Sequence, residues 1–403
     1  MYKQDKLTVN SYILILVTVV YGFHMLRNIS ALYPLVVIGL SCIFIFLFIR
    51  NKIFREYRYI VLFLFFTSVI PIYSYIHFPD VNYLTAISRF FFIYPFVILT
   101  LLLMKQQRDY EAIINALLIM VLICCFSLLY QVLFHSEIRW LADPSERSGI
   151  IRYSSLAGSL TILGVAGPIA IIFAYYHLQS ILLKTIVIAI LVVSSVLTIQ
   201  KAAVINLLLV GVILFFYSSN KHRIIMMLLS IILIGFLFFY FHAYFDQTFG
   251  SVFDHSQVKS DDVTVYQSII QRLWLLPSVL YERYGMTGML TGVGLAGGGG
   301  TFGLSDFPMS HNAVFDFLFI GGVIYLVLFL VLVAKALFTI RRFLKANQDD
   351  YKAKASMWVL ILLLINMVFS NILYFQPYTG MMFFVTLIYC YGVFRLKNHN
   401  VLE

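Results

Sequence analysis

The chain has 403 residues, 62% of them hydrophobic and only 11% charged, with a mean hydropathy of +0.93. No ordinary soluble domain has that composition, so it reads as an integral membrane protein. Its 28 basic against 18 acidic side chains leave a net +10. With no basic run interleaved with aromatics in a soluble segment, that excess is an orientation signal of loops and not a nucleic-acid surface.

The opening MYKQDKLTVN leads into an apolar run without a small-residue cleavage site, so it is expected to start the first transmembrane helix rather than a signal peptide. A bilayer core about 30 Å thick takes about 20 apolar residues as helix. Runs of that kind fall near 11–27, 31–49, 59–78, 83–104, 111–134, 154–178, 181–199, 202–218, 224–245, 310–336, 355–375 and 378–394. The expected fold is therefore an all-α polytopic membrane protein of about 12 transmembrane helices, a single integral membrane domain over residues 1–403.

Loop charges orient it. With the N-terminus inside, about 19 Lys and Arg fall in inside loops and about 8 in outside ones, which puts both termini in the cytoplasm. Two long polar connections then lie outside: His135 to Tyr153, and a large loop spanning 246–309. Inside loops are short, the longest being RRFLKANQDDYKAK, and there is no Walker loop or dinucleotide fingerprint, so a cytoplasmic nucleotide pocket has no place. The four cysteines lie inside apolar runs without metal-ligand spacing; no disulfide, metal or cofactor is expected.

Charge near a membrane costs about 2.5–3.5 kcal/mol at mid-span on insertion scales, so each exception asks for a reason. Five basic residues on the outer side stand out: Arg89, Arg147, Arg152, Lys201 and Arg272. Arg89 lies close enough to the outer edge of its span to snorkel, Arg147 sits in the turn composition DPSERSG, and Arg152 opens a span as an interfacial anchor or a ligand of substrate. Lys201 interrupts an apolar stretch from Ile181 to Tyr217 at an outer turn; it is either a snorkelling amine or a phosphate ligand facing a cavity. Arg272, in the amphipathic SIIQRLWLLPSV, can offer a planar fork to phosphate or pair with Asp261, Asp262 or Glu282.

The stretch GVGLAGGGGTFGLSDFPMSHNAVFDFLFIGG brings glycines, Ser310, His311 and Asn312 to the start of an apolar helix. Gly292, Gly294 and Gly297–Gly300 let backbone amides approach a ligand, or serve as a flexible linker. Ser310 is the better N-cap, which leaves His311 free to project, with a reference pKa of about 6.5 suited to proton exchange near neutrality. Asp316 follows about 140° around the helix from His311.

This order of features resembles the bacterial O-antigen polymerase and O-antigen ligase family, multi-span glycosyltransferases of the lipid-donor, GT-C-like type. The resemblance rests on LTGVGLAGGG followed by SHNAVFDFLFIGGVIY, extended by LTIQKAAVINLLL and by QRLW, and covers roughly residues 150–340. The family's outer-turn position is usually arginine; here it is Lys201, a point charge in place of a fork.

The resemblance implies transfer of a glycan from undecaprenyl diphosphate to an acceptor hydroxyl, at the periplasmic face of the inner membrane. Lys201 and Arg272 would hold the diphosphate and His311 the acceptor hydroxyl, with Arg152, Arg89, Asn312 and Asp316 as secondary substrate-binding candidates. Expected partners are the undecaprenyl-diphosphate-linked oligosaccharide donor and acceptor, membrane lipid and a chain-length regulator protein. HNAVFDFLFIGG looks closer to polymerases of O-antigen or capsule clusters than to ligases, which transfer to lipid A-core. A lipid-linked oligosaccharide flippase or other transporter is the alternative from a different class, although no paired halves are visible.

Overall fold

The computed structural model describes residues 7–28, 32–77, 92–138, 144–147, 150–158, 162–198, 200–217, 276–294, 313–368 and 377–398. Among them helix dominates, joined by short turns and connections and one short two-stranded ribbon. In a sequence this apolar the helix is the state that satisfies every backbone N–H and C=O within the segment, without water.

The helices are α1 (Val9–Gly22), α2 (Tyr33–Phe48), α3 (Arg58–His77), α4 (Tyr94–Leu103), α5 (Gln107–Phe134), α6 (Ile162–His177), α7 (Ile181–Leu197), α8 (Lys201–Tyr217), α9 (Leu276–Thr291), α10 (Ala313–Ala346), α11 (Tyr351–Met367) and α12 (Pro377–Asn398). The ribbon pairs β1 (Ser145–Arg147) with β2 (Ile150–Arg152), antiparallel. Their starts are chemically marked. Proline occupies the first turn of α2 and α4, Ser180 caps α7 by accepting from the Leu183 amide, and Asp350 caps α11 by accepting from that of Ala353.

Three described helices are long and apolar enough to cross a membrane: α5, α10 and α12. Six more apolar helices run to 10–17 residues. The expected span at 224–245 lies outside the described residues.

One expected span is shorter than its apolar run suggests. Residues 154–158 are not helical but form a turn, and α6 is described over Ile162–His177. The Ser154 carbonyl accepts from Gln131 Nε2 at 2.7 Å, the Leu156 amide donates to Ser127 Oγ at 3.0 Å, and Gly158 takes a φ of 106°. Side chains of α5 have claimed backbone groups that a helix would have used, and the positive φ forbids its continuation.

The chain divides into two compact units, one of residues 1–21, 31–114 and 267–403, the other of 22–30 and 115–266. In the first, the core is aromatic: Phe63 of α3 stacks on Tyr325 of α10 at 5.0 Å, and Phe317 stacks on Phe329 at 4.1 Å. At one end of that unit the polar connections gather. Asp109, 1% exposed, accepts from Ser11 Oγ (2.7 Å), Thr8 Oγ1 (2.9 Å) and the amides of Lys105 and Gln106 (3.0 Å each).

Arg395 of α12 donates to Glu56 Oε1 (3.0 Å), to Tyr57 Oη (2.7 Å) and to the Lys105 carbonyl (3.0 Å), and its guanidinium lies 3.7 Å from the Phe54 ring centre. Lys352 pairs with Glu111, and Lys397 with Asp350 at 2.6 Å. The start of α1, the lead into α3, the α4–α5 and α10–α11 connections and the end of α12 thus share one end of the unit. All five are segments that the loop charges assign to the inside.

In the second unit α6 packs against α7 and α8 through its glycines. A Cβ on Gly167 would meet Ser195 of α7, and one on Gly164 would lie 3.1 Å from Thr198 Oγ1 and Gln200 Cβ. Small residues here let helix backbones approach closely where lipid supplies no hydrophobic drive.

Candidate functional site

The glycine-marked stretch of the sequence has a defined purpose at both ends of its described part. In α10, Gly322 takes φ 68°, ψ −172°, a conformation open essentially to glycine, and interrupts the helix between Ile320 and Val323. Opposite it, Gly292 and Gly294 follow the end of α9 with φ of 73° and 64°.

The two backbones touch. A Cβ on Gly292 would come within 2.6 Å of the Gly321 and Gly322 amide nitrogens, and one on Gly322 would strike the Leu290 carbonyl. The Val293 amide donates to the Phe319 carbonyl at 2.7 Å, so the interrupted helix is tied to the segment that interrupts it. Gly321, for its part, leaves room for the Tyr325 ring four residues on. In Gly292 the glycine therefore serves close backbone packing, whereas Gly297–Gly300 lie outside the described residues.

Gly322 stands nine residues after Ala313, about 14 Å along the helix at 1.5 Å per residue. The turn that follows α9, part of the stretch expected to form the large outer loop, thus packs against α10 at the tenth of its 34 residues. Membrane proteins put such discontinuous helices to use where irregular backbone is buried in protein or lines a cavity.

Beside the break lies a cluster of hydroxyls that sequence reasoning missed. Thr67 Oγ1 of α3 and Tyr325 Oη of α10 are 2.7 Å apart, and the Tyr94 hydroxyl of α4 hydrogen-bonds with both. Tyr73 Oη lies 3.2 Å from Thr291 Oγ1, just before the glycine turn. The available signal was polar residues inside otherwise apolar runs, FFTSVIP and GGVIY, but no sequence pattern says that they meet.

Of the sequence-predicted site residues, Asp316 lies in the first turn of α10, 3% exposed, in the same unit as the glycine contact. His311, Asn312, Arg272 and Arg89 lie outside the described residues. His311 stands two positions before the fully buried Ala313 that begins α10.

Lys201 is the first residue of α8, while its side chain is outside the description. Arg152 ends β2, opposite Ser145 and half-buried. Both belong to the second unit, at the end where α5 finishes and α6 and α8 begin: the turn after Arg152 is stapled to α5 through Gln131 and Ser127, and Gln200 lies against Gly164 in the first turn of α6. The structure thus brings these two basic residues to one end of one unit.

Among the described residues no group of three His, Cys, Asp or Glu is placed to hold a metal ion, and all four cysteines are free thiols. The chain matches no protein-family model and no curated protein.

Proposed function

We propose that this chain is a twelve-span, GT-C-like glycosyltransferase of the O-antigen polymerase type, working at the periplasmic face of the bacterial inner membrane. It would join repeat units carried on undecaprenyl diphosphate. The observation that carries this reading is the contact of Gly292 with Gly321 and Gly322. It ties Gly292, where the glycine-rich tract begins, to the helix that follows the His-Asn pair, and these are two of the features on which the resemblance rests. The grouping of five charge-assigned inside segments at one end of the first unit supports the proposed orientation.

The chemistry asks little beyond charge stabilisation and positioning. An acceptor hydroxyl attacks the anomeric carbon of the donor glycan, the carbon–oxygen bond to the diphosphate breaks, and undecaprenyl diphosphate leaves with the bonding pair. Lys201 and Arg272 would stabilise the charge that grows on the diphosphate, and His311 would receive the hydroxyl proton. Arg152, Arg89, Asn312 and Asp316 are assigned to the glycan and to the orientation of His311.

The broken α10 supports a second reading, a lipid-linked oligosaccharide flippase, because interrupted helices also build transport sites. A deletion strain separates the possibilities. Loss of a polymerase leaves single repeat units on the lipopolysaccharide core; loss of a ligase leaves bare core with polymer stranded on lipid. A flippase defect traps repeat units in the cytoplasmic leaflet, and that result would overturn the proposal.

A further inference from the structure

Where α3 begins, two cations share one aromatic ring. The Arg58 guanidinium and the Lys335 ammonium each lie 4.9 Å from the centre of the Tyr59 ring, and Arg58 Nη2 donates to Tyr59 Oη at 3.1 Å. Arg58 and Lys335 are exposed, and among the described residues neither meets a carboxylate within ion-pair distance. The two charges are less than about 10 Å apart, within one Debye length at 0.1 M salt, so their repulsion is not screened away. Tyr59 answers it in part with its ring face and hydroxyl; an anion would answer it fully.

The surroundings say which anion. Lys335 lies 22 residues after Ala313, about 33 Å along α10, and Arg58 is the first residue of α3, so both cations stand at the edge of an apolar span. On α3, Tyr59, Leu62 and Phe66 share a face at helical spacing; on α10, Lys335, Val331 and Ile324 share one. Leu62, Phe66, Val331 and Ile324 are 42%, 38%, 46% and 51% exposed, although α3 and α10 are packed together through Phe63 and Tyr325. An open apolar seam therefore runs from the cation pair towards the middle of the helices for about 16 Å, close to the depth of one leaflet.

We infer that Arg58, Tyr59 and Lys335 bind the phosphate headgroup of an anionic membrane lipid whose acyl chain lies along the α3–α10 seam. A soluble phosphate would gain from the cations but has no use for the seam; a zwitterionic lipid would use the seam but cancels the charge. The site stands at the end of the unit assigned to the inside, where anionic headgroups attract basic side chains. It is independent of the glycan chemistry proposed above.

The test is native mass spectrometry of the purified full-length protein in mild detergent, titrated with phosphatidylglycerol or phosphatidylcholine. Each cation near an anionic surface contributes about five-fold in affinity, so Arg58→Gln with Lys335→Gln should lower phosphatidylglycerol retention about twenty-five-fold. Phosphatidylcholine retention should not change, Lys335→Arg should keep binding, and Lys345→Gln, elsewhere on α10, should have no effect. Equal retention of the two lipids overturns the inference, as does unchanged phosphatidylglycerol binding in the double variant. Displacement of the lipid by millimolar inorganic phosphate would overturn the assignment to a lipid headgroup.

Discussion

Gly292 and Gly322 both take a positive φ where two backbones meet: a side chain on Gly292 would strike the amides of Gly321 and Gly322, and one on Gly322 would strike the Leu290 carbonyl. Thirty residues of sequence separate them. Their contact turns the start of a glycine-rich tract into a tertiary joint between the turn after α9 and the first third of α10.

That joint predicts a sharp substitution pattern. Gly322→Ala adds backbone strain of about 1–3 kcal/mol to a direct clash with the Leu290 carbonyl, so it should lower the thermal midpoint in detergent by several degrees or prevent folding. Gly292→Ala should behave similarly. Gly39, in the middle of α2, has nothing within 4 Å of an added Cβ, and Gly39→Ala should be neutral or stabilising by up to about 1 kcal/mol. A Gly322→Ala midpoint equal to that of Gly39→Ala would contradict the contact.

Asp109 gathers donors from α1 and from the α4–α5 turn. Removing a buried carboxylate that satisfies two amides and two hydroxyls should cost about 3 kcal/mol. Asp109→Ala is expected to expose the start of α1 to limited proteolysis, while Asp109→Asn, which retains one acceptor oxygen, loses less. Equal protease resistance of Asp109→Ala and the parent chain would count against the role.

Burial pushes the Tyr57 phenol up to about 12, against the opposing influence of the Arg395 guanidinium. The usual tyrosine value is about 10, so the folded state holds this proton more tightly than the unfolded chain does. The stability it contributes is fully present below pH 10 and is lost as pH rises through about 12. Base titration of unfolding should show a steeper fall between pH 10 and 12 in the parent than in Tyr57→Phe. Parallel curves would remove Tyr57 from the network around Arg395.

Asp316 is a carboxylate buried at the start of a membrane helix, a placement that asks for function. Under the proposed chemistry, Asp316→Asn and His311→Ala should each reduce surface polysaccharide to single or few repeat units at normal protein levels. Lys201→Ala and Arg272→Ala should slow turnover of a lipid-diphosphate donor. Full-length polymer in the His311→Ala strain would end the assignment of a catalytic base.

Much of the helical framework was legible. The apolar runs at 31–49, 181–199 and 202–218 became α2, α7 and α8 with ends within about two residues, because in a chain this apolar helix formation is dictated locally. The run at 154–178 misled, since hydropathy cannot register that Gln131 and Ser127 of another helix capture the backbone of 154–156. At the candidate site the glycines and Asp316 were visible as anomalies. The hydroxyls of Thr67, Tyr94 and Tyr325 were not, because three separate helices supply them.

By itself, then, the sequence determined that the chain is a membrane-type helical protein, where most of its helices run and which connecting segments carry basic charge, all properties of composition over short windows. Only the tertiary structure decided what Gly292 and Gly322 are for, that α10 is broken at Gly322, and that Arg58 and Lys335 stand over one ring. Each of those depends on the approach of segments distant in the chain, where fractions of an ångström of backbone clearance decide the outcome and no local pattern records them.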